Sequence, residues 1–225
     1  MPLTINSNRV LAAFEGCYEA ERAAALSGVP ISTVYYWARE GIVVPTIAPE
    51  RPKRWSYADL MALRLVYWLR HPKSHDLEII QASPMNEVRR ALEEVDKLGL
   101  DLWSPDGDQG SPLRVDPTGD IFIGTADRFQ DSKGAGVFEE SLDLLGPFSW
   151  ADGRGPDLIS PRPHLRIVPG KVAGETHVAG SRVTTRTLAA LYRRFDSIEN
   201  VAALYPDLSQ EAITEAIELE GELAA

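Results

Sequence analysis

Four hydroxyls and one guanidinium fall within eight residues: Ser32, Thr33, Tyr35, Tyr36 and Arg39. Hydroxyls of these types reach phosphates and base edges, and Arg suits guanine edges and phosphates. A little further on, Arg51, Lys53 and Arg54 form a basic, Pro-punctuated loop. Together these residues have the chemistry for docking on a polyanion.

Other chemistry is poorly supported. His71 and His75 are four apart, as a metal pair on a helix requires, but Pro72 between them breaks a regular helix. Asp106, Asp108, Asp116 and Asp120 lack the spacing of a calcium loop. No nucleophile elbow, phosphate loop or dinucleotide fingerprint is present. The expectation is a non-enzymatic protein with no catalytic residue, no metal and no cofactor.

Composition sets outer bounds. The chain has 225 residues, 44% of them hydrophobic, enough for a core or for two or three small domains. The single cysteine, Cys17, rules out an internal disulfide framework. No apolar run approaches a membrane span, and the first residues lack a secretory pattern, so a cytoplasmic location is expected.

The net charge of −10 hides an uneven distribution. Residues 1–75 carry nine basic and six acidic side chains, and residues 76–160 carry seven and 18. Residues 161–195 hold seven basic and one acidic, whereas 196–225 hold eight acidic and no Lys or Arg. Local field governs docking on a polyanion, so only the first and third stretches have the favourable sign. The acidic middle, Glu139 and Glu140 included, reads as a surface turned away from DNA and toward a basic protein partner.

The elements that must position these residues follow from local signals. An Ala-rich helix spans Glu19 to Leu26, Ser27-Gly28 marks a turn, and a second helix spans Ile31 to Glu40. Ala24 and Ala25 permit close helix contact, and Val29, Val34 and Trp37 are expected inside. Gly41 suits a left-handed position after the second helix. Ser56 and Asp59 form a capping box for a third. Met85 to Leu98 reads as an amphipathic helix, and Leu113–Val115 pairs with Ile121–Ile123 in a loose hairpin. Phe138 to Leu145 reads as a short helix, and Gly146 to Pro163 as a linker. Leu165–Val168 is a strand candidate, followed by a turn-rich β segment over 170–180. Thr184, Ser197 and Ser209 then open three short helices, the second ended by Pro206.

The first constellation resembles the winged-helix domain of MerR-type regulators. The matching residues are Trp37, Glu40-Gly41-Ile42 with Pro45, and Arg54-Trp55-Ser56-Tyr57-Ala58-Asp59-Leu60. Pro30 stands where that family has a Ser or Thr cap, and the face is richer in Tyr and poorer in Arg. The resemblance implies a recognition helix carrying Ser32, Thr33, Tyr35, Tyr36 and Arg39, with Arg51, Lys53 and Arg54 in the wing.

The second constellation resembles the small domain of unknown function numbered 433, often seen in antitoxin-like proteins. Its residues are Pro169-Gly170, Gly174, His177-Val178, Gly180-Ser181-Arg182-Val183 and Tyr205-Pro206-Asp207-Leu208-Ser209, then Ile213 and Ala216. Leu188, Leu191, Val201, Leu204, Leu208, Ile213 and Ile217 are its expected core. Arg182 is suited to a bidentate hold on a carboxylate or a helix end. Arg186, Arg193 and Arg194 are exposed candidates for phosphates or for a partner's acidic surface; both remain open.

The expected fold is mainly α. Residues 1–75 form an N-terminal winged helix-turn-helix, and 76–160 a small α+β middle region with a linker. Residues 161–225 form a trihelical, helix-turn-helix-like domain with a short β segment. A MerR-like head on such a tail looks like a VapB-type antitoxin of the larger, mycobacterial-like kind. That resemblance implies a homodimer that binds double-stranded operator DNA, represses its own operon and silences a PIN-like toxin ribonuclease. Two alternatives stay open: a ligand-responsive regulator with no toxin, and an adaptor that binds protein only.

Overall fold

Side-chain caps open four of the eight described α-helices. The computed structural model describes residues 7–75, 78–97, 113–123 and 142–224. Four helices come first: α1 (Ser7–Glu15), α2 (Ala20–Ser27), α3 (Ile31–Arg39) and α4 (Tyr57–Leu69). Strand β1 (Lys73–His75) pairs antiparallel with β2 (Glu78–Ile80). Helix α5 (Met85–Lys97) precedes β3 (Leu113–Val115) and β4 (Ile121–Ile123), which also pair antiparallel. Strand β5 (Phe148–Trp150) pairs with β6 (Gly153–Gly155), and β7 (Leu165–Arg166) with β8 (His177–Val178). Helices α6 (Thr185–Phe195), α7 (Ile198–Leu204) and α8 (Gln210–Leu223) follow. The protein is mainly α, with small two-stranded sheets. No described helix is long and apolar enough to cross a membrane.

The caps are those the residue types demand. Gly28 closes α2 in the left-handed region at φ +75°, and Gly41 follows α3 at φ +67°. Ser56 and Asp59 make both bonds of the capping box on α4. Thr184, Ser197 and Ser209 each accept a hydrogen bond from the backbone N–H three residues on. A side-chain oxygen at these positions satisfies a donor that the first helical turn leaves unpaired.

Two apolar clusters form the interior. The larger gathers α2, α3 and α4 around Trp55 and Trp68, and takes in Val88, Val115, Phe148 and Leu158. The smaller lies among α6, α7, α8 and β7–β8, around Leu165, Leu188, Val201 and Ile213. Val29, Val34 and Trp37 are buried as expected. Leu204, expected in the smaller core, is instead 53% exposed at the end of α7. That helix has only seven residues and turns its last position outward.

Residues 146–163 depart from the linker reading. They carry the β5–β6 hairpin, which packs on α2 and α4. The hairpin is held by Arg64, which is fully buried on α4. Its guanidinium donates to the carbonyls of Leu26, Ser27, Leu144, Gly146 and Pro156. Burial pushes this group down to about 10, opposed by Tyr57, Asp157 and Asp143. Tyr57 adds a hydrogen bond to Leu158 O at 2.9 Å.

The helix expected over 138–145 is not formed at residues 142–145, and residues 138–141 lie outside the described ones. The strand expected over 165–168 is limited to Leu165–Arg166. Helix α1 and the β1–β2 hairpin had no sequence expectation.

The C-terminal unit is seated directly on the start of α2. Tyr18 is fully buried, and its hydroxyl donates to Gly174 O at 2.8 Å. Cys17 N–H donates to Ala173 O at 3.1 Å. Arg22, 8% exposed, grips the Glu220 carboxylate with both terminal nitrogens, at 2.9 and 3.1 Å. Its Nε also reaches Glu175 at 3.1 Å. Thr185 donates to Glu220, and Arg186 lies 3.5 Å from Glu175.

Candidate nucleic-acid interface

Helix α3 divides into two faces at its natural period. Val34, Trp37 and Ala38 point into the larger core. Ser32, Tyr35, Tyr36 and Arg39 are exposed on the other side, and Thr33 is half-buried between them. The Arg39 guanidinium lies 5.5 Å from the centre of the Tyr36 ring and pairs with Glu40 at 3.2 Å. Tyr35 leans inward and meets the buried Trp55 ring edge-on, with centroids 6.4 Å apart.

The basic loop is anchored at both ends. Ala48 and Arg54 form an antiparallel bridge, and Tyr18 bridges Trp55 through bonds of 2.9 and 3.0 Å. Asp59 accepts from the Thr46 N–H at 2.9 Å and from its hydroxyl at 2.7 Å. Burial raises the Asp59 carboxyl above its usual range, and the bonds from Thr46 and Ser56 oppose that rise.

The three basic side chains of this loop do different things. Arg51 is exposed. Lys53 Nζ turns back to Pro49 O, and Arg54 pairs with Glu19 at 2.9 Å. Only Arg51 of the three is spread outward as the wing reading expects. Two of these cations serve first to hold the loop, because their nearest acceptors lie within the fold.

A cleft of about 620 Å³ separates α3 from this loop. Tyr35 forms one side, Arg51, Lys53 and Arg54 another, and Glu19 and Glu21 the floor nearest α2. Three cations thus face two carboxylates. Neither Glu was expected at the site; both belong to the Ala-rich helix, where an acidic first turn is an ordinary helix feature.

Two further relations were hidden from sequence inspection. Arg89, on α5, donates to Glu40 O at 3.1 Å and so caps the C-terminal end of α3. A cation suits that end of a helix. Arg22, unremarkable in sequence, makes the bidentate carboxylate clamp expected of Arg182. Arg182 itself is exposed and forms no ion pair among the described residues.

The remaining expected residues are not gathered at one place. Arg193 and Arg194 are exposed on α6, with Arg194 5.7 Å from the Phe195 ring centre. Arg186, at the other end of α6, joins the cluster on Arg22. Glu139 and Glu140 lie outside the described residues. His71 donates through Nδ1 to Tyr67 O at 2.7 Å, a local structural bond. Among the described residues, no group of three or more His, Cys, Asp or Glu is placed to hold a metal ion.

Comparison with known families adds one segment. Residues 166–219 match the family described as "Protein of unknown function (DUF433)". The match runs from β7 through most of α8, the unit whose core forms the smaller apolar cluster. No curated protein matches the chain, and no solved structure does.

Proposed function

We propose that this chain is a DNA-binding antitoxin: a non-enzymatic homodimer that represses its own operon and holds a PIN-like toxin ribonuclease. The observation that carries the DNA half is the exposed row Ser32–Tyr35–Tyr36–Arg39 on α3, set beside Arg51 across an open cleft. A short helix buried on one face and polar on the other, joined to its predecessor by a left-handed glycine, suits insertion in a major groove. In this reading α2–Gly28–α3 is a helix-turn-helix of MerR type, and residues 46–55 are its wing. Ser32 and Arg39 meet base edges; Tyr36, Arg51 and the outer edge of Arg54 meet phosphates. A dimer presents two such helices to an approximately palindromic site.

The toxin half rests on the resemblance of the C-terminal unit to antitoxin-like proteins. The exposed guanidiniums of Arg182, Arg193 and Arg194 support it, as groups of the right charge for an acidic nuclease cleft.

Two measurements test the proposal. Fluorescence anisotropy with the duplex upstream of the gene, against a scrambled duplex, should show tighter binding to the former and a steep fall with salt. Equal or undetectable binding to both overturns the DNA half. A tag on this chain in its native host should bring down a small nuclease in stoichiometric amount. Recovery of the chain alone, with its neighbours expressed, overturns the toxin half.

A further inference from the structure

Two contact paths lead from the DUF433-matched unit to the face of α3. The first runs through Tyr18. Its hydroxyl holds Gly174 O at 2.8 Å, and its backbone exchanges two hydrogen bonds with Trp55 at the end of the basic loop. Trp55 in turn packs edge-on against Tyr35 of α3. The second runs through Arg22. Glu220 and Glu175 hold Arg22 on α2, and Glu19, at the start of the same helix, holds Arg54 of the loop.

Both paths are tightly packed where they leave the C-terminal unit. A Cβ on Gly174 would lie 2.3 Å from the Tyr18 hydroxyl oxygen and 2.7 Å from Glu15 O, so backbone and phenol are already in contact. Arg22 is nearly sealed from water, and each of its carboxylate partners is less than a fifth exposed. Loss of one partner strands charge in that seam, which is far costlier than losing a surface pair.

We infer that Tyr18 and Arg22 are positioning residues through which the C-terminal unit sets the placement of α3 and of the loop beside it. The inference rests on the proposed DNA reading for its consequence, but not for its geometry. A partner that draws Arg186 away from Glu175 acts on the same carboxylate that holds Arg22. Its binding is therefore felt at α3, and by reciprocity a duplex on α3 tightens the seam.

Cys17, the one thiol in the chain, lies in this seam and reports on it. In the full chain, Glu220→Gln and Tyr18→Phe should each raise the rate of Cys17 reaction with a disulfide reagent several-fold. Each should also weaken duplex binding about tenfold. The double variant should cost less than the sum of the two, as coupled residues do. Glu222→Gln, on the same helix as Glu220, removes a surface pair with Arg162 and should change neither readout.

A raised thiol rate with unchanged duplex affinity overturns the inference, as does an unchanged thiol rate in both variants. If the wild-type protein binds no duplex, the functional reading fails separately. The NMR resonances of the Tyr35 ring then decide: movement in Glu220→Gln supports the inference, and no movement overturns it.

Discussion

A methyl group on Gly28 would lie 2.5 Å from the backbone nitrogen of Gly155. The turn between α2 and α3 is therefore pressed against β6, some 127 residues further along the chain. Gly28 is required twice, once for its left-handed φ and once for this close approach. Gly41 shares the first requirement but has open space around it. Gly41→Ala should cost about 1 kcal/mol from backbone strain alone, and Gly28→Ala at least about twice that. Urea denaturation of the two variants checks the difference; equal losses would remove the hairpin from the account.

Arg64 ties the same hairpin to the same turn, bridging the carbonyls of Leu26 and Ser27 to those of Leu144, Gly146 and Pro156. Arg64→Met should cost more than about 3 kcal/mol, because it leaves several carbonyls buried without a donor. Arg64→Lys keeps the charge but cannot span five acceptors, so it should recover only part of the loss. Both are measurable as shifts in the denaturant midpoint at constant slope.

His177 makes stability depend on mild acid. The side chain is buried, and its Nδ1 donates to Glu175 O at 2.9 Å. Its Nε2 is buried without a hydrogen-bond partner. Burial lowers its pKa from 6.5, with Lys171 and Arg182 adding to the effect and the bond to Glu175 opposing it. The unfolded chain thus takes up this proton first. Stability due to the neutral ring is complete above pH 6.5 and is lost as pH falls toward the lower folded value. Unfolding free energies measured from pH 7.5 to 5 should decline in the wild type and decline less in His177→Gln.

The three cations of the basic loop should separate in salt-dependent binding. Arg51→Ala should lower the slope of log affinity against log salt by about one, as loss of a phosphate contact does. Arg54→Ala should change the slope less and the affinity more, because it frees Glu19 beside the cleft. Anisotropy titrations at four salt concentrations are enough. Equal slopes for both variants would mean that the pair with Glu19 opens when DNA binds.

Features set by neighbouring residues were readable in the sequence. The capping box at Ser56 and Asp59, the caps at Thr184, Ser197 and Ser209, and the glycine after α3 depend on residues within a turn of one another. So does the two-faced character of α3. What escaped depends on distance along the chain. Arg64 looks like a polar interruption in an apolar helix until five remote carbonyls surround it. Gly153 and Gly155 look like tether residues until Gly28 is brought against them. Lys53 and Arg54 carry the right charge for a wing, but the sequence could not show that Pro49 and Glu19 already engage them. Arg22 sits in an Ala-rich helix with no local sign of its two carboxylates.

The clasp of Arg22 and Tyr18 also bears on how such proteins can be recombined. Excising the C-terminal unit would take from Arg22 both its carboxylates and from Tyr18 its acceptor, and would open the buried face of α2 to water. The N-terminal helices are therefore not a portable cassette. A tail grafted from elsewhere would need carboxylates where Glu175 and Glu220 stand, and a glycine at 174, before the hybrid could close.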